Sequence, residues 1–158
     1  MAVTASGLYV QNFIDALDPS QIGLNLTLTT HKIALLSNSA TPNFDTDTVW
    51  NSTNEVIGTN WPTGGVLYSA AAAGGTSIAP TLTVSPSGTM MYDANDVAVA
   101  ATTITNARAA RFYADALTTP TADALILLIN FAADFSTNNG TFGIQFAATG
   151  IFALDLTP

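Results

Sequence analysis

The sequence predicts an all-β fold: an antiparallel β-sandwich of about eight strands with one short N-terminal helix, forming a single domain over residues 1–158. Three observations predict it. Apolar residues make 48 % of the chain and charged residues only 9 %, where ordinary soluble domains carry about 25 % charge. After the first twenty residues the apolar positions recur at a period of two or in short runs, and Gly, Pro, Asn and Asp punctuate them at close intervals, as in a sandwich of short strands. A chain of this length buries about two-thirds of its extended surface on folding, which is enough for one core.

The helix is expected over Ser6 to Leu17. Ser6 is a suitable N-cap, and Tyr9, Val10, Phe13, Ile14 and Leu17 share one face, which would dock on the sandwich or insert into a neighbour. Asp18-Pro19 ends it, because the residue before proline avoids helical angles. The alternation of Leu24, Leu26 and Leu28 reads as a half-buried strand, and Lys32 to Leu36 as a strand buried on both faces. Residues 37–62, rich in Asn, Asp, Ser and Thr, read as a long ordered loop interrupted by a short strand at Glu55 to Ile57.

Gly64-Gly65 opens a strand at Val66 to Ala70, and Ala71 to Gly75 is small and flexible. Further strands are expected at Leu82 to Val84, Met90 to Asp93, Thr102 to Ala107, Ala109 to Ala114, Leu125 to Phe131, Thr141 to Ala147 and Phe152 to Leu156. Asn139-Gly140 supplies the positive φ angles of a tight hairpin between the strand ending at Phe131 and the one starting at Thr141.

Charge and composition exclude several functions. Three basic residues (Lys32, Arg108 and Arg111) against eleven acidic ones give a net charge of −8. This leaves little to neutralise a phosphate backbone, so no nucleic-acid partner is expected. No apolar run approaches the eighteen or so residues of a membrane span, so membrane insertion is not expected either. The N-terminus lacks the basic and long apolar regions of a secretory signal, which points to synthesis in a cytoplasm. With no cysteine, disulfides, thiolate metal sites and cysteine nucleophiles are absent.

Catalytic, metal and cofactor sites are not expected. The single histidine, His31, sits at the mouth of a strand, where a structural or exposed imidazole is the simpler reading than a general base. No nucleophile elbow, Walker loop or dinucleotide fingerprint occurs. Two acids can run glycoside hydrolysis across a cleft, and Asp45 with Asp47, Asp93 with Asp96, and Glu55 are the candidates. Each of the two aspartate pairs lies among turn formers, whose side chains bond local backbone. A calcium loop is the second reading, but Asp93, Asn95 and Asp96 lack the glycine and the glutamate of an EF-hand.

Trp50, Trp61 and Tyr68 flank the long loop, where aromatics either stack on sugars or cover the end of a core. A surface this poor in Lys and Glu resembles an interface, since interfaces are depleted in those residues. The interface candidates are Tyr9, Phe13 and Leu17 on the helix face and Trp50, Glu55, Trp61 and Tyr68 about the long loop.

One stretch carries a family resemblance: His31-Lys32-Ile33-Ala34-Leu35-Leu36, then Ala40-Thr41-Pro42-Asn43 with Asp45-Thr46-Asp47, then Asn54-Glu55-Val56-Ile57-Gly58-Thr59 leading to Trp61-Pro62-Thr63-Gly64-Gly65. It resembles small virion structural proteins of tailed bacteriophages, which read K-x-A-L-L, T-P-N-x-D-T and E-V-x-G-T-G-Y-x-x-G-G in turn. The likeness continues through Ala101-Thr102-Thr103-Ile104, Ala107 to Tyr113, Phe131, Asn139 to Phe142 and Gly150-Ile151-Phe152, so it spans most of the chain. Asn60-Trp61-Pro62 replaces the family's Gly-Tyr, and Val97-Ala98-Val99 lies where a tryptophan is usual. The resemblance implies a β-sandwich-like subunit on the particle surface, with the major capsid protein or other virion proteins as partners and no catalytic residues. A capsid decoration (cement) protein is the first expectation, a tail or fibre component contacting the host surface the alternative. A homo-oligomer is expected, and a trimer would suit capsid or fibre symmetry.

Overall fold

Most of the fold is one long two-stranded ribbon and what packs against it. In the computed structural model the described residues are 3–17, 23–69, 71, 79–85 and 88–156. They form β1 (Gly7–Leu8), α1 (Val10–Leu17), β2 (Lys32–Leu36), β3 (Glu55–Val56), β4 (Val66–Leu67), β5 (Thr81–Ser85), β6 (Thr89–Asp93), β7 (Val97–Ala114), β8 (Ala124–Ile144) and β9 (Phe152–Asp155). The fold is therefore all-β, with antiparallel sheets and one short helix, consistent with a sandwich of two sheets. The larger sheet runs β1-β8-β7-β2-β3, with β4 also paired to β2, and the smaller runs β5-β6-β9.

β7 and β8 have 18 and 21 residues and pair antiparallel from Val97↔Ile144 to Ala114↔Ala124. The ribbon cannot be straight. Phe131 and Phe142 both lie in β8, and eleven extended residues would separate them by about 36 Å; their ring centroids are 6.1 Å apart. The register shifts show how the bend is made. The ladder slips between Val99 and Thr102, Thr102 and Ile104, Ile104 and Ala107, and Ala107 and Ala109. At these slips Ala101, Asn139, Asn106 and Ala132 take positive φ values of 54°, 48°, 56° and 62°. Each slip is a bulge, and bulges bend and twist a strand. Arg108 closes the largest one, donating from Nε to Asp134 at 2.7 Å and from Nη1 to the Ala132 carbonyl at 2.5 Å.

This corrects the expected hairpin at Asn139-Gly140. Thr102 pairs with Gly140 and Ile104 with Thr137, so the left-handed Asn139 supplies an extra residue within β8 rather than a chain reversal. The expected strands Leu125 to Phe131 and Thr141 to Ala147 are largely parts of one strand, as are Thr102 to Ala107 and Ala109 to Ala114. The true reversal lies between Ala114 and Ala124.

The larger sheet is covered on both faces, and residue parity shows it. Ile33 and Leu35 of β2, Ala110, Phe112 and Ala114 of β7 and Ile126 of β8 belong to one core with Trp61, Tyr68, Tyr92, Val97, Ile104, Phe142 and Ile144. Ala34, Leu36, Ala109, Tyr113, Leu125 and Leu128 belong to a second core, with Val3, Tyr9 and Ala40 against them. The folded-over half of the ribbon and the smaller sheet cover the first face, and the N-terminal segment and the 37–50 loop cover the second. Two cores explain why β2 is a near-continuous apolar run.

Several local expectations change. Ser6 does not cap the helix: its Oγ accepts the Asn130 N–H at 2.8 Å, and Gly7–Leu8 pairs with β8 at Leu127 and Leu128. Leu24, Leu26 and Leu28 form turns rather than a strand, because Asn25 Oδ1 accepts both the N–H and the hydroxyl of Thr27, at 3.0 and 2.7 Å, and local bonding of this kind outcompetes a ladder. The expected helix stop at Asp18-Pro19 and most of the flexible stretch Ala71 to Gly75 lie outside the described residues.

The bulges make a stability prediction. A left-handed non-glycine residue costs about 1–2 kcal/mol, and a glycine returns part of that gain through the freer unfolded chain, about 0.4–1 kcal/mol. Ala101→Gly and Ala132→Gly should each raise stability by up to about 1 kcal/mol in urea unfolding, and Ala101→Val should lower it. If Ala101→Val is neutral, the left-handed bulge is not what bends β7.

Candidate functional site

The residues singled out by sequence divide between the interior and two surfaces. Trp61 and Tyr68 lie in the first core, Trp61 edge-to-face with Phe142 at 5.4 Å and Tyr68 packed on Phe112 and Phe146. The Tyr68 hydroxyl donates to the Asn95 carbonyl, and burial pushes the phenol's pKa up. Tyr9 lies in the second core beneath Arg111, whose guanidinium carbon is 5.5 Å from the ring centroid, and burial raises this phenol to about 12. As interface candidates these three are corrected: their side chains are the packing of the chain itself, with no surface left for a partner.

Trp50 and Glu55 are brought together through Tyr113. The Trp50 indole stacks on the Tyr113 ring at 5.0 Å with planes 9° apart, and the Tyr113 hydroxyl donates to the Gly64 carbonyl at 2.6 Å. Glu55 accepts the Gly64 N–H at 2.7 Å, which closes the 55–65 segment into a ring. The segment crosses β2 so closely that a Cβ on Gly65, whose φ is +75°, would sit 1.9 Å from the Ile33 carbonyl oxygen. Burial raises the Glu55 carboxyl, while the Gly64 and Gly65 N–H groups pull it back. The glutamate and double glycine thus form a structural clasp, and both tryptophans of the loop serve packing.

The acidic candidates behave in the same way. Asp47 Oδ2 accepts the Asn43 N–H and Asn43 Oδ1 accepts the Asp45 N–H, both at 3.0 Å. Asp96 Oδ1 accepts the Phe146 N–H at 2.9 Å across the fold. Among the described residues no group of three or more His, Asp and Glu side chains is placed to hold a metal ion. All three basic side chains pair within the chain: Lys32 with Asp115 at 2.9 Å, Arg108 with Asp134 at 2.7 Å, and Arg111 with Asp47 at 3.9 Å.

His31 is buried. Its Nε2 donates to the Asn25 carbonyl at 2.9 Å, which leaves Nδ1 without the proton, and burial holds the imidazole below its ordinary pKa.

The helix face is where the expectation and the structure part most usefully. Asn12 donates from Nδ2 to the carbonyls of Thr48 and Leu125, both at 2.7 Å, and these bonds set the rotation of α1. Phe13 turns inward to meet Phe152 edge-on at 6.1 Å. Val10, Ile14 and Leu17, at helical spacing i, i+4 and i+7, then face outward with 46, 55 and 84 % of their surface exposed. Of the sequence candidates Leu17 alone is exposed; the sequence placed all five apolar residues on a single face, docked or inserted into a neighbour, and so missed that they split into an inward and an outward set. The smaller sheet carries a second uncovered set, Leu82 and Val84, with Leu156 exposed just beyond the end of β9. The buried arginine was also missed, although an arginine inside the apolar run 109–114 was a readable signal.

No described helix is long and apolar enough to cross a membrane. No protein-family model, curated protein or solved structure matches the chain.

Two outcomes test this assignment. Trp61→Ala should cost about 3–5 kcal/mol, as for a large aromatic removed from a core, and Trp50→Ala distinctly less; equal losses in chemical unfolding would overturn the division between core and rim. For His31 the unfolded imidazole titrates near pH 6.5 and the folded one lower. Below about pH 6.5 the unfolded chain takes up a proton that the folded chain refuses, so this contribution is full above that pH and declines as the pH falls. The raised carboxyls of Glu55 and Asp123 act with the opposite sign in the lower carboxylate range. His31→Gln should flatten the loss of stability just below pH 6.5; an unchanged slope would contradict a buried neutral imidazole.

Proposed function

We propose that the chain is a bacteriophage virion structural protein, most directly a capsid decoration protein that binds the outer head surface, bridges neighbouring major capsid subunits and stabilises the shell. The observation that supports this reading is the outward apolar stripe Val10, Ile14 and Leu17 on a helix clamped by Asn12, in a chain with only 9 % charged residues. Such a stripe is a ready helix-in-groove anchor, and its rigid seat lowers the entropy cost of docking. The motif likeness to virion proteins points the same way.

The physics of decoration asks little of each copy. Contacts burying on the order of 1,000 Å² are individually weak, but many of them on one shell act together. The reading places the protein on the particle surface after synthesis in the host cytoplasm, with the major capsid protein as partner and self-association alongside. A tail or fibre component contacting the host is the second reading. Of its sugar-stacking anchors Trp61 is buried in the core and Trp50 is half-buried with one ring face on Tyr113, so the outward helix stripe favours the shell.

Purified protein is expected to co-sediment with expanded empty capsids of its phage. A variant carrying Ile14→Asp and Leu17→Asp should fold normally, since both side chains are exposed, and lose at least tenfold in binding. Failure of the unaltered protein to bind would overturn the decoration reading; unchanged binding by the variant would show that the helix is not the anchor.

A further inference from the structure

The smaller sheet has an apolar face that the chain covers only in part. Its registers are Leu82↔Tyr92↔Phe152 and Val84↔Met90↔Leu154, so six apolar side chains from three strands form a grid of two rows on one face. On the other face Thr81 lies opposite Asp93, Thr83 opposite Met91 and Ala153, and Ser85 opposite Thr89 and Asp155. The first row is docked: Tyr92 is buried in the core and Phe152 packs on Phe13. The second row reaches past the core, and at its end Val84 is 92 % exposed, with Leu82 beside it at 39 %.

β5 is also the outermost strand of that sheet, and no described strand pairs with its outer edge. Its sequence is Thr81-Leu82-Thr83-Val84-Ser85. Exposed edges are ordinarily blunted by charge, proline or a bulge. Within β5 there is none of these: five residues pair in unbroken register with β6, and no side chain is charged.

We propose that β5 is a self-association edge, pairing antiparallel with β5 of a second copy about a two-fold axis at Thr83. The strand is self-complementary in that one register. Thr83 faces its own copy, Leu82 faces Val84 of the other chain, and Thr81 faces Ser85. No other register pairs all five residues. The two three-stranded sheets become one of six strands, and Val84 gains an apolar cross-strand neighbour on its own face. Such pairs add about 0.2–1 kcal/mol each.

Charge does not oppose a second copy at this edge, despite the net charge of −8. The acid nearest the edge is Asp93, one strand in and opposite Thr81. Across the dyad the two Asp93 residues are separated by three strand spacings and four residues along the strand, roughly 20 Å. That exceeds the screening length of about 8 Å at physiological salt, so no like-charge pair opposes the contact. A standard interface buries about 1,600 Å² in total; one five-residue strand pair is smaller, so the dimer dissociates on dilution unless a larger assembly holds it. The inference does not depend on the shell reading, since it concerns the isolated chain.

The absence of cysteine makes a clean test. Thr83→Cys introduces the only thiol, at an exposed position. Directly opposed residues in an antiparallel pair have Cα atoms about 4.5 or 5.5 Å apart, and both separations suit a disulfide. Under mild oxidation at high protein concentration Thr83→Cys should give a covalent dimer at least tenfold faster than Thr81→Cys or the loop control Thr118→Cys. Adding Val84→Lys to Thr83→Cys should remove that advantage, and sedimentation of the unaltered protein should show a monomer–dimer equilibrium that Val84→Lys shifts to monomer. Equal crosslinking rates for Thr83→Cys and the controls would overturn the proposal, as would a strictly monomeric unaltered protein at millimolar concentration.

Discussion

The structure depends on a ribbon that is too long to be straight. Two strands of 18 and 21 residues would make a rod with one face in water at each end, and neither end could bury its aromatics. Bulges at Ala101, Asn106, Ala132 and Asn139 convert the rod into a fold-over in which Phe131 meets Phe142. The backbone cost is four residues in a sparsely populated conformation. The return is a core in which Trp61, Phe112, Phe142 and Phe146 come together from segments far apart in sequence. Because that core is built from distant pieces, few local signals point to it, and forming it demands long-range pairing.

The fold-over also determines what covers the other face. With one side of the larger sheet occupied by the ribbon's own far half, the opposite side is left to the N-terminal segment and the 37–50 loop. These segments bring polar groups with them: Asn12 reaches backbone carbonyls, and Arg111 lies over Tyr9 beside Asp47. Arg111 with Asp47 and Lys32 with Asp115 thus tie a loop and a turn to the sheet, while Arg108 with Asp134 joins two of its strands. The exterior is charge-poor because only 9 % of the residues are charged, and it stays acidic because eleven acids face three cations.

Seen this way, the two uncovered apolar sets have a common origin. The helix stripe faces outward because Asn12 turns the helix, and the tip of the smaller sheet is exposed because the core ends at Tyr92 and Phe152. Both sit on rigid elements, which distinguishes them from apolar residues scattered over a loop. Rigid apolar sets at the margins of a core suit a protein whose work is contact, whether with a shell or with its own copies.

Periodicity by itself determined the fold class, the doubly buried β2, the alternating β5 and β6, and the short β9, because each is a local pattern whose period or run length states how many faces are buried. Glu55 and Gly64-Gly65 stood together only in the motif that carries the family resemblance, and not as a clasp. Tertiary structure alone decided the rest. Asn139-Gly140 has the conformational preference of a hairpin, and either a turn or a bulge satisfies it; only the partner residues Thr102 and Ile104 select the bulge. The apolar helix residues have a common face on paper, but two hydrogen bonds from Asn12 override that face. Leu24, Leu26 and Leu28 alternate as a strand does, and the Asn25 side chain captures the backbone first. In the first two cases a contact from far along the chain made the choice; in the third a side chain two residues away did.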